Sequence, residues 1–190
     1  PLGVLLEQPV QGVGEASARF ADPLDWLFEE HARHRAFCER LRMTAEAAEH
    51  DPVEVAWLLR FLQADLPAHV ADEEELVFPA LTACALPDDH IDALLGHLAA
   101  EHVKDRRLAE TVERHLRDCL ADHRAPAMVP ERARAMEGFA ALELHHLALE
   151  NAVILPLARL RFTGADLSRL ADALTRRFLD RGRTTTAPAR

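Results

Sequence analysis

The sequence predicts an all-α chain, an antiparallel up-down four-helix bundle with an irregular N-terminal arm and a short fifth helix at the C-terminal end. Three observations predict it. The 190 residues are rich in Ala, Leu and Arg, hold 5% aromatic residues and contain no Tyr, a helix-forming composition. Apolar residues recur at helical spacing along four long stretches. Short loops join those stretches, so neighbouring helices should run antiparallel, and no strand pattern competes with them.

Residues 1–21 mix Gly, Pro and scattered apolar residues without a period and read as the arm. Asp22-Pro23 is a helix start: Asp caps free amides and Pro tolerates the first turn. Leu24, Leu27, Phe28, His31, His34, Cys38 and Leu41 mark one face of the first helix, which should end near His50. Asp51-Pro52 repeats the signal and opens a second helix running to about Pro79, with Pro67 expected to kink or break it. Pro87 opens a third, with Ile91, Leu94, Leu95, Leu98, His102, Ala109 and Val112 inward and an end near Leu120. Pro130 sits in the first turn of the fourth, whose inward face reads Phe139, Leu142, His146, Leu149, Glu150, Val153 and Ile154, and Pro156 should bend its end. The bundle thus spans residues 22–162. Residues 163–190 hold the short fifth helix after Gly164 and a tail expected to be flexible.

A length of 190 residues suits one domain with a real core. The formal charge of −10 argues against duplex nucleic acid or an anionic membrane as partner. No apolar run reaches membrane-spanning length, and the first twenty residues have neither the basic start nor the apolar run of a signal peptide. Cys38, Cys84 and Cys119 lack CxxC spacing, which suggests reduced thiols and a cytoplasmic protein.

The unusual feature is the set of eleven histidines. "HVADEEELVFP" begins at His69 and "HLALENAVILP" at His146, each with Glu four residues after His and Pro ten residues after it. The first and third helices carry Glu-His steps at His31 and His102 on faces otherwise lined by Leu. The order is His, His-x-x-x-Glu, His, His-x-x-x-Glu, an internal repeat of two helical hairpins. Residues i and i+4 lie close around and along a helix, so His69 with Glu73, and His146 with Glu150, can each reach one inward point. Four His and two Glu in a core need compensation, which metal ions supply. Imidazole with carboxylate suits iron, and also manganese or zinc.

The chain resembles the hemerythrin-like, HHE cation-binding family. The likeness rests on "EEH" at His31, "HVADEEELVFP" at His69 and Glu73, "AEH" at His102 and "HLALENAVILP" at His146 and Glu150, over roughly residues 22–160. It implies a non-haem di-iron centre, two iron ions with an oxo or hydroxo bridge, the two Glu bridging and the His terminal. It also implies a small gaseous or peroxide ligand: dioxygen, nitric oxide or hydrogen peroxide. The dioxygen-carrying hemerythrins have a fifth His one turn away on the third helix, where this chain has Leu98 and Arg106. They also use a longer spacing that ends in Asp on the fourth helix. Those departures point away from reversible dioxygen storage and toward redox or peroxide chemistry at open metal positions.

No acid–base or nucleophile constellation stands apart from the ligand set, so the chain reads as a binding or sensing protein rather than an enzyme. The alternatives are an iron- or redox-responsive regulatory module and a peroxidase- or catalase-like enzyme. No sequence feature calls for a protein partner. His146 is preferred over His145 because it matches the first unit. His34 and Asp105 are placed to orient ligands from behind, with ligation or a semi-buried polar role as alternatives. Glu74 is assigned to the surface, Cys38 to the core, and His50, His90, His115 and His123 to solvated helix ends.

Overall fold

The computed structural model describes residues 13–186. Among these every regular element is helical. Helix α1 spans Val13–Arg19 and α2 Pro23–Glu46. The run over residues 52–84 contains α3 (Pro52–Arg60), α4 (Leu66–Asp72) and α5 (Phe78–Cys84), joined by wide turns at Phe61–Asp65 and Glu73–Val77. Helix α6 spans Ile91–Asp122. The run over residues 130–161 contains α7 (Pro130–Leu149) and α8 (Leu155–Arg161), joined by a wide turn at Glu150–Ile154. Helix α9 spans Gly164–Thr186.

The starts predicted at Asp22 and Asp51 behave as their chemistry demands, whereas the third long helix starts at Ile91 rather than Pro87, because Pro87–Asp89 forms a separate 3-10 turn that ends at His90 in the left-handed region (φ 51°). Asp22 Oδ1 accepts from the amides of Leu24 and Asp25, both at 3.0 Å. Asp51 Oδ1 accepts from Val53 and Glu54 at 2.9 and 3.1 Å. Thr163 and Asp166 cap α9 reciprocally: the Asp166 carboxylate accepts from the Thr163 amide at 2.8 Å, and Thr163 Oγ1 accepts from the Asp166 amide at 3.3 Å.

The interior prolines do something the sequence does not announce. Pro67 and Pro156 leave their runs helical, each after a widened π-type turn, and Pro79 does the same. Each wide turn starts six residues before its proline, at Phe61, Glu73 and Glu150, and closes with an i to i+5 bond, as from Phe78 N–H to Glu73 O. A proline offers no N–H and crowds the carbonyl four residues back; widening the preceding turn accommodates both.

Two apolar clusters fill the interior. One gathers Leu24, Leu27, Val77, Leu81, Leu98 and Ile154, and the other Phe37, Leu41, Leu62, Ala109, Met136 and Phe139. Helices α2 and α6 and the runs over residues 52–84 and 130–161 each pass from one cluster to the other, whereas α9 packs on the first alone. Between them lies a polar layer: His31 follows Leu27 and precedes Phe37, Glu73 lies between Leu66 and Val77, His102 between Leu98 and Ala109, and Glu150 between Ala140 and Ile154.

Several expectations need correction. Of the arm expected to be irregular, residues 1–12 lie outside the described residues, while Val13–Arg19 is helical and packs on α9. The fifth helix is not short: at 23 residues it takes in much of the expected tail, and the last four residues lie outside the described part. Amphipathicity explains its length, since it lays Leu170 and Leu174 onto the first apolar cluster. Phe28 and Val153, assigned inward, are 52% and 38% exposed, because each falls at the edge of a stripe whose centre is occupied by the histidines or Glu150.

Helix α9 is also tied by charge to the run that carries His69 and Glu73. Arg181 donates to Asp72 Oδ2 at 2.9 Å, and Arg177 donates to the Ala71 carbonyl at 2.7 Å and to Asp72 Oδ1 at 3.4 Å. Asp72 is 1% exposed. Replacing both arginines with alanine strips a buried carboxylate of its guanidinium partners. The expected loss is about 2–3 kcal/mol, less than for a fully buried pair because both arginines reach solvent, or roughly 5–10 °C in Tm. Arg159→Ala, which touches only exposed Asp22 and Asp25, should cost under about 1 kcal/mol. Thermal melts that rank the two changes the other way would contradict this account.

Candidate metal centre

The polar layer gathers all six residues singled out as donors. His31 comes from α2, His69 from α4, His102 from α6 and His146 from α7, while Glu73 and Glu150 each open a wide turn. The six are between 1% and 4% exposed. They fall into two overlapping groups, His31, His69, Glu73 and Glu150, and Glu73, His102, His146 and Glu150. Within each group, one donor atom per residue lies within 4.8 Å of every other.

Each carboxylate turns one oxygen to each histidine pair. Glu73 Oε1 lies 3.3 Å from His31 Nε2 and 3.2 Å from His69 Nε2, and its Oε2 lies 3.5 Å from His102 Nε2. Glu150 Oε2 lies 3.5 Å from His31 Nε2, and its Oε1 lies 3.2 Å from His146 Nε2. The Nε2 atoms of His102 and His146 stand 2.9 Å apart.

These atoms fit a cation. His69 Nε2, Glu73 Oε2 and both Glu150 oxygens are buried without a hydrogen-bond partner, although each lies near an opposite number. They converge on common points rather than pair with one another. Adjacent donors on an ion with bonds of about 2.1 Å stand about 3 Å apart, close to the spacings here. The donor chemistry suits a borderline ion such as iron, manganese or zinc.

Behind the donors, the Nδ1–H of His31 donates to Asn151 Oδ1 at 2.8 Å, that of His102 to Glu74 Oε1 at 2.9 Å and that of His146 to Glu101 Oε2 at 3.1 Å. A carboxylate oxygen or an amide oxygen can only accept, so these bonds turn each Nε2 toward the centre. Glu74 is therefore more than surface: a third of its side chain is exposed, yet it holds His102. Neither Asn151 nor Glu101 was marked by the i to i+4 pattern, since their partners lie 120 and 45 positions away.

His34 and Asp105 stand outside both donor groups. The His34 ring lies against that of His69, centroids 4.3 Å apart, and its Nδ1–H donates to buried Glu143 at 2.8 Å. Glu143 was missed, although it lies one turn before His146 on the same face. Burial, and then the charge of Glu143, push the Asp105 carboxyl up to about 6. Cys38 is a free, buried thiol, pushed up by burial. His145 is exposed, and His50 has both ring nitrogens shielded from solvent rather than solvated. A cavity of about 330 Å³ opens beside the centre, with Leu62, Leu66, His69, His102, Asp105 and His146 on its wall.

The sequence model of the hemerythrin HHE cation-binding domain matches residues 22–158, a span that contains all six donors. No curated protein and no solved structure matches the chain.

Without a cation, protons do part of its work. Burial opposes the charge on His146, but the bond and charge of Glu150 outweigh it and push that imidazole up to about 10. His31 and His102 are raised against the same burial by Glu73. Burial alone dominates at His69 and lowers it. The raised His146 imidazole keeps its proton at neutral pH, and a cation must displace it. Zinc titration in weak buffer should therefore release protons at about pH 7, and apparent affinity should climb between about pH 6 and about pH 8. A flat affinity across that window would contradict the assignment.

Proposed function

The chain belongs to the hemerythrin HHE cation-binding family, and from that premise we propose that its buried donors hold two iron ions and admit a small oxidant or gas. His31 and His69 would hold one ion and His102 and His146 the other, with Glu73 and Glu150 available to both. The observation that carries this reading is that each carboxylate presents one oxygen to each histidine pair. The scaffold we infer is an up-down four-helix bundle over residues 22–162. Its support is the alternation of the long runs between the two apolar clusters.

Iron held there would supply redox equivalents and coordination positions for dioxygen, nitric oxide or peroxide. The chain's own residues do the rest. Glu74, Glu101 and Asn151 fix the imidazoles in the orientation that frees Nε2. The cavity beside His69, His102 and His146 sets the size of what can approach. Phe78 stacks on the His102 ring with centroids 5.9 Å apart and covers it from one side.

A second reading has its own observation. Arg177 and Arg181 fasten α9 to residues 68–75, which include His69 and Glu73. Loss of iron would loosen the element to which α9 is clamped, which supports an iron- or redox-responsive regulatory module.

Protein from iron-supplemented medium should hold about two irons per chain by metal analysis. His69→Ala and His146→Ala should each lose iron while remaining helical by circular dichroism. Retention of both ions in both variants would remove the proposal. For the regulatory reading, iron at about 100 times its Kd stabilises by about 2.7 kcal/mol, so a chelator should lower Tm by roughly 5–10 °C. A Tm unmoved by the chelator would reject it.

A further inference from the structure

The two hairpins repeat each other, and the repeat extends to the groups behind the donors. Glu74 follows Glu73 as Asn151 follows Glu150, and each accepts the Nδ1–H of the lone histidine on the opposite hairpin, His102 and His31. Glu101 precedes His102 as Glu30 precedes His31. Glu101 accepts from His146 at 3.1 Å, and its other oxygen lies 3.4 Å from His97. Glu30 has no such task. It accepts from Arg33 at 2.6 Å and lies 3.7 Å from Arg19, while His69 Nδ1 is buried without a protein partner.

The repeat is thus broken at both outer positions, in the same direction. His102 and His146 each lean on a carboxylate. His31 leans on a neutral amide, and His69 Nδ1 has no hydrogen-bond partner among the described residues. A carboxylate acceptor makes an imidazole a stronger donor to metal, and removing such a partner typically costs 10–100-fold in affinity. Glu74 and Glu101 also keep part of their surface exposed to solvent. That exposure weakens each effect by screening but leaves its sign unchanged.

We propose that the two metal positions are unequal, and that the one held by His102 and His146 fills first and binds more tightly because Glu74 and Glu101 stand behind it. The inference rests on the two-ion reading above. Asn151 and the diverted Glu30 make the His31 and His69 position the weaker, more readily vacated one. Such a chain has a resident cation and an exchangeable one.

The test is titration of metal-free protein with cobalt(II), read by visible absorption and chelator competition. Two steps are expected, separated by about tenfold or more. His31→Ala should keep the tighter step and His146→Ala should lose it. Glu74→Gln and Glu101→Gln should each weaken the tighter step by about 10–100-fold and leave the looser one in place. Asn151→Asp, which gives His31 a carboxylate, should strengthen the looser step and narrow the gap. Two cations bound with equal constants, or Gln variants that weaken the looser step instead, would overturn the ranking while leaving the two-ion reading intact. A chain that binds no cobalt would overturn both.

Discussion

Six ionisable side chains, each almost fully buried, converge in one layer of the core, and the rest of the molecule is arranged around that constraint. Taking a single carboxylate out of water costs several kcal/mol even after relaxation, and here two carboxylates and four imidazoles lie within a few ångströms. The chain can tolerate such a layer in two ways. Protons can bridge the groups, which accounts for the raised imidazoles beside Glu73 and Glu150. Cations can replace the protons, which suits His69 Nε2, Glu73 Oε2 and both Glu150 oxygens, buried without a hydrogen-bond partner.

The apolar interior answers the same constraint. It is divided into two clusters, one on each side of the polar layer. Each holds several of the largest fully buried side chains, Phe20, Leu24, Leu27, Leu81 and Leu98 in one and Phe37, Leu41, Leu58 and Phe139 in the other. Burial at about 25 cal/mol per Å² on both sides holds the helices in place. The layer between them contributes position rather than net stability. The prolines enter here too. The wide turns at Glu73 and Glu150 each begin at one of the six side chains and end before a proline, so two of the three wide turns among the described residues sit at the polar layer itself.

The convergence of the six side chains was legible in the sequence because its signal is local. His69 with Glu73 and His146 with Glu150 are pairs within single helices, and a four-residue spacing fixes their common direction whatever the tertiary structure. Asp22-Pro23 and Asp51-Pro52 were legible for the same reason. What escaped was set by contacts between helices. Asn151 behind His31, Glu101 behind His146 and Glu143 behind His34 lie 120, 45 and 109 positions from their partners, and no periodicity links them. The length of α9 escaped because its arginines look like a solvated tail until Asp72, buried on another element, gives them a partner.

The same division between local and distant signals explains where the two halves of the centre can differ. Replacing one of the six inner side chains would remove a bond to any cation held there and leave its neighbours buried without compensation. One layer out, Glu, Asn or no group at all can stand behind an imidazole while the inner geometry persists. Each choice alters donor strength by a modest factor rather than abolishing it. Asn151 in place of a second Glu74, and Glu30 turned toward Arg33 in place of a second Glu101, are changes of that kind. A duplicated hairpin supplies two similar positions, and the residues just behind the donors are where they can be made unlike without dismantling either.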